Sequence, residues 1–141
     1  MRRTVTTLLL AAYAVAVVFV TMFPLNPHSD DYPDDLPWWA NVHYTPGYVD
    51  APSFAANIVM FLPFGVLVPL LWPAADGWRR MLVRALLASA GIDAVQLVLD
   101  LTIGGKRTID VNDLLSNAVG ALLGLALLRL ARPAPTPVRA D

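Results

Sequence analysis

An all-α fold, four membrane-crossing helices packed as a bundle, is what this sequence predicts, and three observations predict it. Of 141 residues, 57% are hydrophobic and only 15% are charged, whereas charged residues make up about a quarter of a soluble domain. Four apolar runs, at 4–23, 53–72, 81–101 and 113–130, each approach the roughly 20 residues that a helix needs to cross hydrocarbon. Polar residues within the later runs recur at helical spacing, so they share faces. The mean hydropathy of +0.57 agrees. A net charge of −1 gives no basis for nucleic-acid binding, and the absence of cysteine excludes disulfides, thiolate metal sites and thiol nucleophiles. Residues 1–132 read as one membrane domain, and the proline-rich tail 133–141 as disordered and cytoplasmic.

The first run follows Arg2 and Arg3. A cleaved signal peptide has an apolar core of about 7–15 residues and a small-x-small cleavage site. This run is longer and ends in Val-Thr-Met-Phe-Pro, which favours a retained anchor helix. Residues 24–52 then carry six prolines and five aspartates, with Trp38, Trp39, Tyr44 and Tyr48 among them. Proline and aspartate break regular structure, and such rings favour the headgroup zone. An external loop resting on the bilayer is expected; a ligand-covering cap is the sharper alternative. His43 has no second imidazole at ligand spacing, so no metal site is expected.

The second run holds Asn57, Pro63, Gly65 and Pro69. Proline costs about 3 kcal/mol in a soluble helix, but membrane helices tolerate it because neighbours re-satisfy the freed carbonyl; a kink near Pro63 is expected. Asn57, Phe61 and Phe64 share one face. After the turn 73–80, the third run places Ser89, Asp93, Gln96 and Asp100 on one face as well. Gly104 and Gly105 mark a tight loop.

The stretch from Arg107 to Gly124 is the most informative. At about 100° per residue, Asp110, Asp113, Asn117, Gly120 and Gly124 fall within roughly 80° of arc. A stripe of carboxylates, an amide and glycines must face other helices or water, not lipid. Asp113 opens the fourth run and is placed to cap it. Topology follows from the basic residues. Arg2, Arg3, Arg79, Arg80, Arg84, Arg129, Arg132 and Arg139 share one side of a four-span chain, with only Lys106 and Arg107 opposite. Both termini are therefore expected in the cytoplasm. Asn57, Asp93, Gln96, Asp113 and Asn117 then meet at one depth in the outer leaflet. An ionised aspartate at mid-membrane costs roughly 2.5–3.5 kcal/mol, so Asp93 is expected to be protonated, solvated, or paired with Lys106 or Arg107.

Asn57, the Phe61-Leu-Pro63-Phe64-Gly65 segment, the Asp93-x-x-Gln96 pair and the series Arg107, Asp110, Asp113, Asn117, Gly120, Gly124 together resemble the VanZ-like family. Its prototype is the accessory teicoplanin-resistance protein of glycopeptide-resistance clusters. The similarity covers about residues 53–128. By position, the family's polar and helix-packing residues fall on Asn57, Pro63, Gly65, Gln96, Arg107, Asp110, Asp113, Asn117, Gly120 and Gly124. Its third-span acid is usually Glu and is the shorter Asp93 here. The resemblance implies a small multi-pass protein of the bacterial plasma membrane and envelope, with a link to antibiotic response and no established reaction.

Two readings of the polar residues compete. As packing glue, amides and carboxylates hydrogen-bond between helices for about 0.6–2 kcal/mol each, and Gly120 and Gly124 let backbones approach. As a site, Asp93, Gln96, Arg107 and Asp110 exceed what packing needs. The favoured functional reading is a non-catalytic, outward-facing pocket that needs no cofactor. It would hold a lipid headgroup, cell-wall precursor or glycopeptide, with Lys106 and Arg107 on an anionic group and Trp38 and Trp39 as cover. One alternative is an intramembrane enzyme with Asp93 as acid or base and Asp110 and Asp113 on a divalent cation. Another is a homo-oligomeric transporter with Asp93 as its proton site.

Overall fold

The computed structural model describes residues 2–22, 42–43, 51–103 and 109–132. Four helices carry the fold: α1 (Arg2–Met22), α2 (Ala51–Leu71), α3 (Trp78–Ile103) and α4 (Val111–Ala131). All four are long and apolar enough to cross a membrane. Proline does not interrupt α2, which stays helical through Pro63 and Pro69. A single 3-10 turn, Pro73–Ala75, joins α2 to α3. Two-residue strands β1 (Val42–His43) and β2 (Ile109–Asp110) pair in parallel. They are too short to alter the all-α class, but they bring the approach to α2 beside the start of α4. The tryptophans Trp38 and Trp39, the pair Lys106 and Arg107, most of the acidic loop and the tail 133–141 lie outside the described residues.

Contacts between elements set the directions of the helices. Asn57 of α2 meets Asp113 of α4, while Leu62 and Gly65 meet Gly124 further along both. Numbering rises together, so α2 and α4 run parallel. Ser89 of α3 meets Asn117 and Trp78 meets Arg129, so α3 runs against α4. One end of the bundle therefore collects the C-termini of α1 and α3 and the N-termini of α2 and α4. The other end collects Arg3, Arg79, Arg80, Arg84, Arg129 and Arg132.

Glycine decides how close α2 and α4 come. A Cβ on Gly65 would strike the carbonyl oxygen of Ala121, one on Gly120 that of Ile58, and one on Gly124 that of Leu62. The struck atoms are backbone, which cannot rotate away. Backbone contact of this kind is how membrane helices gain packing energy, since lipid is as apolar as leucine and supplies no hydrophobic drive. Phe61, Met81, Ala85, Ala121 and Leu125 complete the core.

Outside and inside are inverted relative to a soluble protein. Leu8, Val15, Val59, Leu87 and Leu101 are each 63–70% exposed, while Ser89, Asn112, Ser116 and Asn117 are only 0–4% exposed. Apolar groups facing outward are expected where the solvent is hydrocarbon, and buried polar groups then need internal partners. Helix α4 is the most buried of the four.

The arginine end is tied by Asp76 in the α2–α3 turn. Arg129 Nε donates to its Oδ1 at 2.9 Å, and Arg132 Nη1 donates to its Oδ2. The Arg129 guanidinium also lies 4.7 Å from the centre of the Trp78 ring. Hydrogen bonds from Arg132 and then Arg129 hold the Asp76 carboxyl below its usual range.

Three variants test this packing. Gly124→Leu should lower the thermal unfolding temperature in detergent sharply, by the roughly 1–3 kcal/mol of an overpacked contact or more. Gly91→Ala, where an added Cβ meets nothing within 4 Å, should be neutral or stabilising by up to about 1 kcal/mol. For Asp76 the folded state prefers the charged form. Its contribution is present above the ordinary carboxylate pKa and lost as pH falls through the lowered folded value. The stability gap between the native chain and Asp76→Asn should therefore be widest near neutral pH and close in strong acid.

Candidate functional site

Helix α4 supplies the centre of the site, and its first turn explains why. Asp110 has extended backbone angles (φ −121°, ψ 124°), and its Oδ1 accepts from the Asn112 backbone N–H at 2.9 Å. Asp110, not Asp113, is thus the N-cap. The expectation that Asp113 caps the helix is corrected: β2 keeps the chain extended through Asp110, so the helix begins at Val111. The same Asp110 oxygen accepts from Asn112 Nδ2 at 2.7 Å. The Ser116 hydroxyl lies 2.9 Å from the Asn112 carbonyl and 3.0 Å from that of Asp113.

Freed from capping, Asp113 faces α2, where Asn57 Nδ2 donates to its Oδ1 at 2.6 Å. One turn on, Asn117 Nδ2 donates to Ser89 Oγ of α3 at 2.8 Å. The antiparallel register does the rest. With Ser89 opposite Asn117, a step of four residues in opposite directions along the two helices, about 6 Å, sets Asp93 opposite Asp113. The two carboxylates are close enough to repel electrostatically. Asn57, Ser89, Asp93, Asp113 and Asn117 therefore form one cluster from three helices.

Two atoms of this cluster are buried without a hydrogen-bond partner: Asp93 Oδ2 and Asn117 Oδ1. Both are acceptors, and buried acceptors without a donor cost about 1–3 kcal/mol, more when charged. The arrangement can therefore receive N–H or O–H donors, water or a proton. Among the described residues no three His, Cys, Asp or Glu side chains are grouped to hold a metal ion.

Gln96 does not join the cluster. Its Nε2 donates to the Thr21 carbonyl at 2.9 Å, closing α3 onto the end of α1. The face predicted for the third run is real for Ser89 and Asp93, but α1 intervenes at Gln96. Asp100 lies on α3. Gly65, Gly120 and Gly124 lie at the α2–α4 contact, and Pro63 is half-buried two residues before Gly65. Ser89 and Ser116 take a larger part than sequence reasoning gave them. The signal was available for Ser89, four residues before Asp93; nothing local marks Ser116, whose hydroxyl serves its own helix.

Apolar helices wrapped around an interior of amides, hydroxyls and carboxylates define a small multi-pass membrane protein. The VanZ/LLP1 family model matches residues 10–132, nearly the whole helical region, and the chain belongs to that family. No curated protein and no solved structure matches significantly.

A double-mutant cycle on Ser89→Ala and Asn117→Leu, read by unfolding in detergent, should give a coupling of about 0.6–1.7 kcal/mol, the range for a hydrogen bond between membrane helices. Additive losses would mean that the two side chains do not act together.

Proposed function

We propose that this is a non-catalytic binding protein of the bacterial plasma membrane, with both termini in the cytoplasm and the polar cluster opening toward the exoplasmic side. Its ligand is a lipid headgroup, cell-wall precursor or glycopeptide antibiotic, and its effect is on envelope and antibiotic susceptibility. The unpartnered acceptors Asp93 Oδ2 and Asn117 Oδ1 carry the reading. All three ligand classes bring amine or hydroxyl donors of the kind these oxygens lack. The arginines at the opposite end support the orientation, since basic residues favour the cytoplasmic face. In this reading Lys106 and Arg107 contact an anionic group of the ligand, Asp110 orders the rim, and Trp38 and Trp39 cover it.

Susceptibility profiling of a deletion strain tests the proposal. Complementation with Asp93→Ala, Arg107→Ala or Asp110→Ala should fail to restore the native profile while the protein still accumulates in the membrane. If all three variants behave as the native chain does, the cluster is scaffold. Asp93→Asn separates the readings: it keeps an acceptor oxygen and should retain binding, whereas it would abolish turnover in an enzyme or proton coupling in a transporter. A reporter fused to either terminus should be active only in the cytoplasm.

A further inference from the structure

The arginine end carries a second feature, remote from the polar cluster. An open groove of about 430 Å³ runs along the surface between α1, α2 and α3. Ala14 of α1 and Phe64 and Val68 of α2 line it, and Trp72 and Arg84 stand toward its arginine end. The wall is almost wholly apolar. Apart from Arg84 at its end, Tyr13 is the exception, and its hydroxyl donates to the Met60 carbonyl at 2.9 Å. From Phe64 to the end of α2 at Leu71 is seven residues of helix, about 10 Å, with Trp72 just beyond, most of the depth of one leaflet's hydrocarbon, roughly 15 Å.

A basic surface adjoins the groove. Arg79, Arg80 and Arg84 line a neighbouring hollow that shares Arg84 and Leu87 with it. No carboxylate among the described residues pairs with these three arginines. Asp76, the acid nearest in sequence, has both oxygens engaged by Arg129 and Arg132. Arg80 Nη1 donates to the Ala74 carbonyl and Arg84 Nη1 to the Arg80 carbonyl. Each guanidinium keeps further N–H donors in a planar fork that suits a phosphate. An acyl-chain groove that ends beside three unneutralised guanidinium groups matches one kind of molecule in shape and charge.

We propose that this groove is a selective site for a glycerophospholipid with an anionic headgroup, taken from the leaflet at the arginine end. One acyl chain lies between α1 and α2 against Phe64 and Val68. The phosphate is held by Arg80 and Arg84, with Arg79 beside them. The site fills the gap between α1 and α3, and its occupant would brace α1, which has its main contacts with α2 alone.

Trp72 reports on it. The full chain carrying Trp38→Phe, Trp39→Phe and Trp78→Phe is placed in phosphatidylcholine vesicles with a minor fraction of brominated-chain phosphatidylglycerol, or the same fraction of brominated-chain phosphatidylcholine. Quenching of Trp72 should be several-fold stronger with the anionic lipid. Arg80→Gln with Arg84→Gln should abolish that preference, at about fivefold per arginine, and leave quenching by phosphatidylcholine unchanged. Ala14→Phe should weaken quenching by both lipids. Native mass spectrometry of the chain with its tryptophans intact, released from mixed vesicles, should find phosphatidylglycerol retained over phosphatidylcholine. Equal quenching and equal retention of the two lipids would overturn the proposal, leaving the arginines as determinants of topology alone.

Discussion

Backbone meets backbone where α2 and α4 cross, and this contact sets the geometry of the rest. Gly65, Gly120 and Gly124 remove the side chains that would otherwise hold the two helices apart. Because α2 and α4 run parallel, the same close approach that buries these glycines also brings the N-terminal turns of both helices together. Asn57 can then reach Asp113 directly. A polar pair inside a bilayer is stable only if the partners are held at hydrogen-bonding distance, since no bulk water can substitute. The glycines therefore serve the polar cluster from two turns away.

Helix α3 completes the cluster by a different route. It meets α4 in the opposite direction through the Ser89–Asn117 hydrogen bond, and this fixes Asp93 against Asp113. The result is an interior in which two buried acceptors are left without donors. Asn57 and Asn117 spend amide N–H groups on Asp113 and Ser89, while Asp93 Oδ2 and Asn117 Oδ1 accept from nothing. Those two open acceptors are the feature that the proposed binding role would use.

The two ends of the bundle divide their labour by charge. At one end, Asp76 is neutralised twice over and locks the α2–α3 turn to the C-terminus of α4. Basic groups near a helix C-terminus also complement its dipole. The remaining arginines of α3 are left for the surroundings, beside an apolar groove. At the other end the described charges are aspartates, among them Asp113 on α4 and Asp110 at its cap. The helices between are apolar outside and glycine-tight inside.

Much of this was legible in the sequence. Length and hydropathy determined four spans, and the 100° step placed Asp113, Asn117, Gly120 and Gly124 on one buried stripe, because helical periodicity is a local property. The family motif, too, is a matter of spacing. Tertiary structure decided what spacing cannot. It made Asp110 the cap, because a parallel β-pairing with a segment 67 residues earlier in register, Val42 with Ile109, keeps the chain extended there. It sent Gln96 to the Thr21 carbonyl on α1 and kept Asp93 on α4, although both share a face of α3. A helix face tells which residues look the same way; only the neighbouring helices, ending at different heights, determine what each of them meets.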